Sequence, residues 1–344
     1  MQQQSPEHSH QTNQPAPVRQ VAPGIWKFVL PIPFPLRTVN VYALVGPDGW
    51  VLVDTALGTP DARSAFHAAL TEAGLHLDQL QAIVLTHHHP DHVGLSGELQ
   101  ARTGVPVYMH SIDEAAVQII WTNTMGKRFE RVSSFFAQHG LPETDLWYNQ
   151  METPDRQRII DVPPHEAFTL VEDGTPLTLA GESYRVIWAP GHSDGQICLW
   201  RERDGIFLSA DHVLPRITPN IGLYSTRDRP NPLGDFLASL HKVASLPASL
   251  VLPGHGEPFT NLAQRIAEIV EHHDMRLQTI LSLLATRPQH AAALTAQLFQ
   301  DRLKSDEARR MAVAEVLAHL EYLRYKNQVI QQLANDGTIR YSVV

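Results

Sequence analysis

The chain has 344 residues, enough for one large domain or two ordinary ones, and its 27 Lys and Arg against 36 Asp and Glu leave a net charge of −9. That balance argues against a general nucleic-acid binder, although a local basic patch or metal ions could still hold phosphates. The single cysteine, Cys198, excludes an intramolecular disulfide and reads as core filler, so a cytoplasmic setting is expected. No run approaches the length of a membrane helix.

Residues 1–22 are rich in Gln, Pro and His, with no apolar core of signal-peptide length, and read as a disordered tail. Residues 25–30 and 39–45 have strand patterns. Pro31, Pro33 and Pro35 keep the segment between them out of a sheet ladder, so it is a stiff loop that either walls a cleft or covers the core. A strand over 50–54 ends in Asp54. Helical spacing over 60–73 is closed by Gly74.

Ala82-Ile83-Val84-Leu85 reads as a buried strand, and Thr86-His87-His88-His89-Pro90-Asp91-His92-Val93-Gly94 follows it. His87 and His89 are two apart, so on extended backbone they point the same way. Pro90 keeps His89 out of the helical region. Asp91 opens a helix over 91–103, and His92 follows it. One strand end thus delivers two imidazoles, and the next helix start delivers a carboxylate and a third imidazole. Divalent metals take such N and O ligands. A strand over 105–109 and a helix over 111–120 come next.

Residues 118–164 read as a helical insertion. Trp121, Met125, Phe129, Phe135, Phe136, Leu141, Trp147, Tyr148 and Met151 stand there among charges. As a group they are expected to line an apolar substrate pocket, although any single one is expected to dock the insertion onto the body. Strand patterns return at 177–179, 184–188, 196–200 and 205–208. Two segments echo each other, each an apolar strand, a Pro-Gly turn and a histidine: one ends in His192, the other in His255. Between them Asp211, then His212, closes a further strand. Residues 231–246 form an amphipathic helix. Helices over 263–284, 294–303 and 305–326 follow, then a hairpin through Asn335-Asp336-Gly337. The expected division is a tail at 1–22, a catalytic domain at 23–259 and a small helical, winged-helix-like domain at 260–344.

Seven candidate ligands fall at or just after strand ends: His87, His89, Asp91, His92, His192, Asp211 and His255. They exceed what one four-coordinate zinc needs and match two metal ions sharing a carboxylate, able to bridge a hydroxide and clamp a displaced oxygen. Zinc is the expected metal, with iron and manganese accepted by the same donors.

The pattern His-x-His-x-Asp-His at 87–92 resembles the signature of the metallo-β-lactamase superfamily of hydrolases. Pro-Gly-His at His192, Ala-Asp-His at Asp211 and Pro-Gly-His-Gly at His255 resemble its later motifs, in the right order. The resemblance covers residues 25–259 and implies an α/β fold, an αββα sandwich with metals along one edge of its two sheets. It implies that His87, His89 and His192 bind one metal and that Asp91, His92 and His255 bind a second. Asp211 would bridge them. Asp91 and Asp211 are then the catalytic carboxylates, Asp91 also guiding protons to the leaving group. His88 and His212 match no ligand position and would lie outside the ligand set or face solvent. Asp54 resembles the family's acid that buttresses the metal-binding loop.

Motif order and the C-terminal helices with a hairpin resemble the β-lactamase-like protein 2 group, whose animal members are endoribonucleases. Leu214 stands where the related lactonases carry a tyrosine, which counts against lactonase activity. The expected function is hydrolysis of an ester, thioester or related bond in a small-molecule substrate. The alternative is a metal-dependent endoribonuclease acting on single-stranded RNA, with Arg309, Arg310, Arg324 and Lys326 as phosphate contacts. Glu307, Glu315 and Glu321 interleave with those cations and favour a solvated helix face. A non-catalytic metal or nucleic-acid binding protein is disfavoured by the full ligand set. A winged helix also serves in homodimers. No membrane partner is expected.

Overall fold

A computed structural model describes residues 17–121, 125–142, 159–226 and 228–344. The chain opens with an antiparallel meander, β1 (Val18–Ala22), β2 (Ile25–Pro31), β3 (Thr38–Gly46) and β4 (Gly49–Val53). Helix α1 (Pro60–Ala73) starts on the Thr59 side chain, which accepts from Ala62 N, and stops at left-handed Gly74. It returns the chain to β5 (Leu80–Val84), parallel to β4. The short α2 (Pro90–Val93), α3 (Ser96–Thr103), β6 (Val107–His110), α4 (Ser111–Trp121), α5 (Met125–Gln138) and β7 (Phe168–Val171) complete a seven-stranded sheet in sequential order.

The second sheet has five strands. An antiparallel run, β8 (Pro176–Leu179), β9 (Glu182–Trp188), β10 (Ile197–Arg201) and β11 (Ile206–Ala210), is followed by α6 (Pro232–Ala244). That helix brings β12 (Leu250–Pro253) in parallel to β11. The chain ends in α7 (Leu262–Leu284), α8 (Ala291–Phe299), α9 (Asp306–Tyr325) and the hairpin of β13 (Val329–Leu333) and β14 (Ile339–Val343).

Side-chain alternation along the strands builds the layers. In β3 and β4, Tyr42, Leu44, Val51 and Val53 face the second sheet, where Val186, Ile197, Leu199 and Leu208 meet them. Their neighbours Val39, Val41 and Leu52 face Phe66 and Leu70 of α1. On the far side Cys198, Trp200 and Phe207 pack with Phe236 of α6, Ile269 of α7 and Leu317 of α9 in one cluster. The result is the expected αββα sandwich, and α7 to α9 share a core with its second sheet.

Three local expectations are corrected. Residues 18–22 belong to the sheet, not to the tail, because β1 pairs with β2 and buries Val18. The helix expected over 91–103 breaks after Val93. Gly94 lies against the Ala56 and Leu57 backbone, and its carbonyl accepts from Asp161 N at 2.8 Å. Of the insertion's apolar residues, Phe135 and Phe136 pack into the core, and Leu141 borders a cavity with Ala292, Thr295 and Val313 that none of the seven ligand candidates lines. All three are buried in the cluster with the C-terminal helices, where apolar area is better sheltered from water. Trp147, Tyr148, Met151 and the side chains of Met125 and Phe129 lie outside the described residues. Among the described residues no helix is long and apolar enough to cross a membrane.

Candidate metal centre

Parallel β4 and β5 in one sheet, and β11 and β12 in the other, end at a common edge. Asp54 follows β4, the His87 stretch follows β5, Asp211 follows β11 and His255 follows β12. His192 arrives on the turn after β9.

All seven sequence candidates meet there. His87 Nε2 lies 3.1 Å from His89 Nδ1. Asp211 Oδ2 lies 3.4 Å from His192 Nε2, 3.5 Å from His92 Nε2 and 3.3 Å from His255 Nε2. Asp91 Oδ2 lies 3.4 Å from His255 Nε2 and 3.9 Å from His92 Nε2. Three overlapping triads could each hold a metal ion, with ligand atoms within 4.8 Å of one another: His87, His89 and His192; His87, His92 and Asp211; Asp91, His92 and His255.

The donor set fits divalent metal ions. A charged N–H to carboxylate hydrogen bond spans about 2.7–2.9 Å, shorter than the Asp211 contacts. Two ligands of one tetrahedral ion, each about 2.0–2.1 Å from it, stand about 3.3 Å apart. His92 Nε2, His192 Nε2 and Asp211 Oδ1 are buried and make no hydrogen bond. Each orphan of that kind costs about 1–3 kcal/mol unless something else engages it, and a metal ion would.

Outer partners settle which nitrogen faces inwards. His192 Nδ1 donates to the Asn220 carbonyl at 2.9 Å, and His255 Nδ1 donates to the Thr38 carbonyl at 2.7 Å. A carbonyl only accepts, so Nδ1 holds the proton and the Nε2 lone pair faces the centre. His92 Nδ1 lies 2.9 Å from Asp54 Oδ2. His87 Nδ1 lies 3.0 Å from Thr86 Oγ1, whose hydroxyl donates to Asp54 Oδ2 at 2.8 Å.

Charge points the same way. Burial would raise the Asp211 carboxyl, yet His255 and His92 hold it well below the usual carboxylate range. Burial, then neighbouring imidazoles, push His87 and His89 well below the ordinary histidine value. Burial would also lower His92 and His255, but Asp211 overrides it, raising His92 well above that value and His255 to about 10. The carboxylates draw positive charge to this centre, where a metal ion and protons compete for the same nitrogens.

The backbone is bent to suit. Asp54 (φ 61) and Ala210 (φ 46) sit in the left-handed region, at a cost of about 1–3 kcal/mol each. A Cβ on Gly254 would stand 2.2 Å from Asp211 Oδ1 and 3.0 Å from His92 Cε1, so no side chain fits there.

Of the other residues singled out in the sequence, Asp54 reaches the His87 stretch as the resemblance implies. His88 is not a member of the triads; its Nδ1 lies 3.2 Å from Asp113 Oδ2. His212 does not face solvent, because its ring is buried edge-on to Phe236, 5.3 Å between centroids, and burial pushes it down to about 3. Sequence reasoning missed Thr38, Asn220 and Asp113, and also Asn40, whose amide donates to the Pro253 and Gly256 carbonyls at 2.9 and 2.7 Å and holds the His255 turn. Asp113 alone carried a sequence signal, an acid just past a strand end.

Comparison with known proteins agrees with this geometry. The family described as the Metallo-beta-lactamase superfamily matches residues 35–255, and a Metallo-beta-lactamase-like C-terminal domain matches residues 277–344. A crystal structure of a metallo-beta-lactamase family protein from Thermus thermophilus is 38% identical with a TM-score of 0.82, over 94% of this chain and 100% of that one. A probable metallo-hydrolase of Bacillus subtilis, YqjP, is 26% identical over 87% of this chain and 92% of its own length. A beta-lactamase-like protein 2 homolog of Caenorhabditis elegans is 24% identical over 90% of this chain and 83% of its own.

Proposed function

The chain belongs to the metallo-β-lactamase superfamily and is a metal-dependent hydrolase, and from that premise we propose that it works with two metal ions on an ester, thioester or related small-molecule bond. The observation that carries this reading is Asp211 Oδ2, within 3.3–3.5 Å of an inward nitrogen on each of His92, His192 and His255. A single carboxylate so placed is shared between two ligand groups. His87, His89 and His192 would hold one ion, Asp91, His92 and His255 the other, and Asp211 both. Zinc suits this set, and iron or manganese would be accepted by the same donors.

Bound metals would supply Lewis acidity and hydroxide at neutral pH. The chain's own residues do the rest. Asp54, Thr38 and Asn220 hold the imidazoles in the tautomer that leaves Nε2 free. Burial would raise the Asp91 carboxyl, but His92 and His255 keep it below its ordinary value, so it is ionised and able to take a proton. An Asp91 carboxylate oxygen would take the proton released in the attack and return it to the leaving group.

Small molecules are favoured over single-stranded RNA by the state of the C-terminal cations. Arg309 pairs with Asp306 at 3.0 Å, Arg324 pairs with Glu321 at 2.5 Å, and Lys326 lies over the Tyr322 ring. Arg310 is buried. These four do not present an open basic stripe to a phosphate backbone.

The test is turnover of a thioester, an ester, a phosphodiester and single-stranded RNA by the metal-loaded chain and by Asp211→Asn. Thioester or ester turnover lost in the variant supports the proposal. Cleavage of RNA alone would replace it with the nuclease reading.

A further inference from the structure

Outside the metal set, one buried carboxylate is engaged by two of the loops that carry it. Asp113, in the first turn of α4, is fully buried. Its Oδ2 accepts from His88 N at 2.9 Å and from Ser193 Oγ at 2.7 Å, and lies 3.2 Å from His88 Nδ1. Its Oδ1 accepts from Gly195 N at 2.7 Å. At the other end of α4, Trp121 Nε1 donates to the His88 carbonyl at 2.7 Å.

His88 is thus held through its amide, its ring and its carbonyl by one helix. The residues either side of it, His87 and His89, both reach the centre in one triad. Ser193 stands next to His192. Gly195 makes the close approach feasible, since a Cβ there would lie 2.5 Å from Asp113 N and 2.8 Å from Asp113 Oδ1. None of these contacts involves Asp91, His92 or His255. The last two are held instead by Asp54 and by the Thr38 carbonyl.

We propose that Asp113 is the positioning residue of one metal position, that of His87, His89 and His192, acting through His88 and Ser193 and leaving the Asp91, His92 and His255 position unaffected. This rests on the ligand assignment proposed above. An aspartate suits the task because an ionised carboxylate is acceptor-only, and four donors converge on it. An asparagine would turn one of its two acceptor faces into a donor.

The experiment is calorimetric and optical titration of the metal-free full-length chain with Co2+, comparing wild type, Asp113→Asn, Ser193→Ala, His192→Ala and the Asp113→Asn/His192→Ala pair. The proposal expects Asp113→Asn to weaken one of two equivalents about 10–100-fold, the usual scale for an outer partner of a metal ligand. Ser193→Ala should weaken the same equivalent less. His192→Ala should remove that equivalent, and adding Asp113→Asn to it should leave the remaining one unchanged in affinity and visible spectrum.

Equal weakening of both equivalents, or a remaining equivalent weakened further in the double variant, would overturn the proposal. If Asp113→Asn fails to fold, Ser193→Ala decides: no loss in either equivalent overturns it. A wild-type chain that takes up no Co2+ fails the metal reading itself, a result visible before any variant is compared.

Discussion

Asp54 Oδ2 stands 2.9 Å from His92 Nδ1, and the same carboxylate accepts the Thr86 amide at 2.7 Å and the Thr86 hydroxyl at 2.8 Å. One side chain therefore turns His92 Nε2 inwards and anchors the start of the His87 stretch. It also sits at φ 61, a conformation that Asn tolerates as well as Asp.

Asp54→Asn therefore changes the chemistry without adding backbone strain. An amide cannot accept at both of its ends, so either His92 or Thr86 loses its partner. Metal affinity should fall about 10–100-fold while far-UV circular dichroism stays that of wild type. Calorimetric titration checks this, and unchanged affinity would show that the contact is incidental.

Gly254→Ala adds a single methyl group 2.2 Å from Asp211 Oδ1. The chain should fold, because the turn's φ is not one that only glycine adopts, but Asp211 must swing away. Loss of at least one metal equivalent is expected, read by elemental analysis. Wild-type metal content in this variant would mean that Asp211 has slack the distances do not show.

The seven ligand candidates are legible in the sequence because each belongs to a short motif attached to an apolar strand. Of what holds them, Asp54 alone is legible, through the resemblance. Thr38 and Asn220 act through carbonyls, which every residue has. Asp113 is four hydrogen bonds away from being an ordinary helix-start acid, and its three partner residues, His88, Ser193 and Gly195, are all distant in sequence. The sandwich follows from alternating strands, yet β1 is five residues long and becomes a strand only through β2. His212 looks exposed by residue type, and the α6 ring of Phe236 decides otherwise.

Acid should destabilise the fold through buried histidines away from the metal centre. His273 of α7 lies 3.0 Å from His319 of α9, and burial, then the neighbouring charges, push them down to about 3 and about 4. Burial likewise pushes His139 down to about 4. The folded values lie below the unfolded value of about 6.5, so the unfolded chain binds protons first as pH falls. Stability is complete above about pH 6.5 and drains away towards about pH 4, by roughly 1 kcal/mol per pH unit for each group. Thermal melts of the metal-free chain between about pH 7 and 5 should show the fall, with a shallower slope in His273→Phe/His319→Leu. Parallel slopes would contradict the assignment.

Removing residues 286–344 should disable the enzyme rather than trim it. Val313, Val316, Leu317, Leu320 and Leu323 of α9 are buried in the cluster that covers the second sheet, at about 1.5–3 kcal/mol each. The Ala314 carbonyl also accepts Leu223 N at 3.1 Å, on the loop whose Asn220 carbonyl holds His192. Aggregation or lost metal is expected from size-exclusion and elemental analysis. A monodisperse truncation with full metal would show that the shared core is dispensable.

The most direct measurement is metal per chain in freshly purified protein, repeated after zinc loading and in Asp211→Asn. The shared carboxylate predicts two equivalents in the wild type and fewer than two in the variant, with hydrolysis lost alongside. No metal above background after loading, or two tightly held equivalents in Asp211→Asn, would contradict a centre built on Asp211 between two histidine groups.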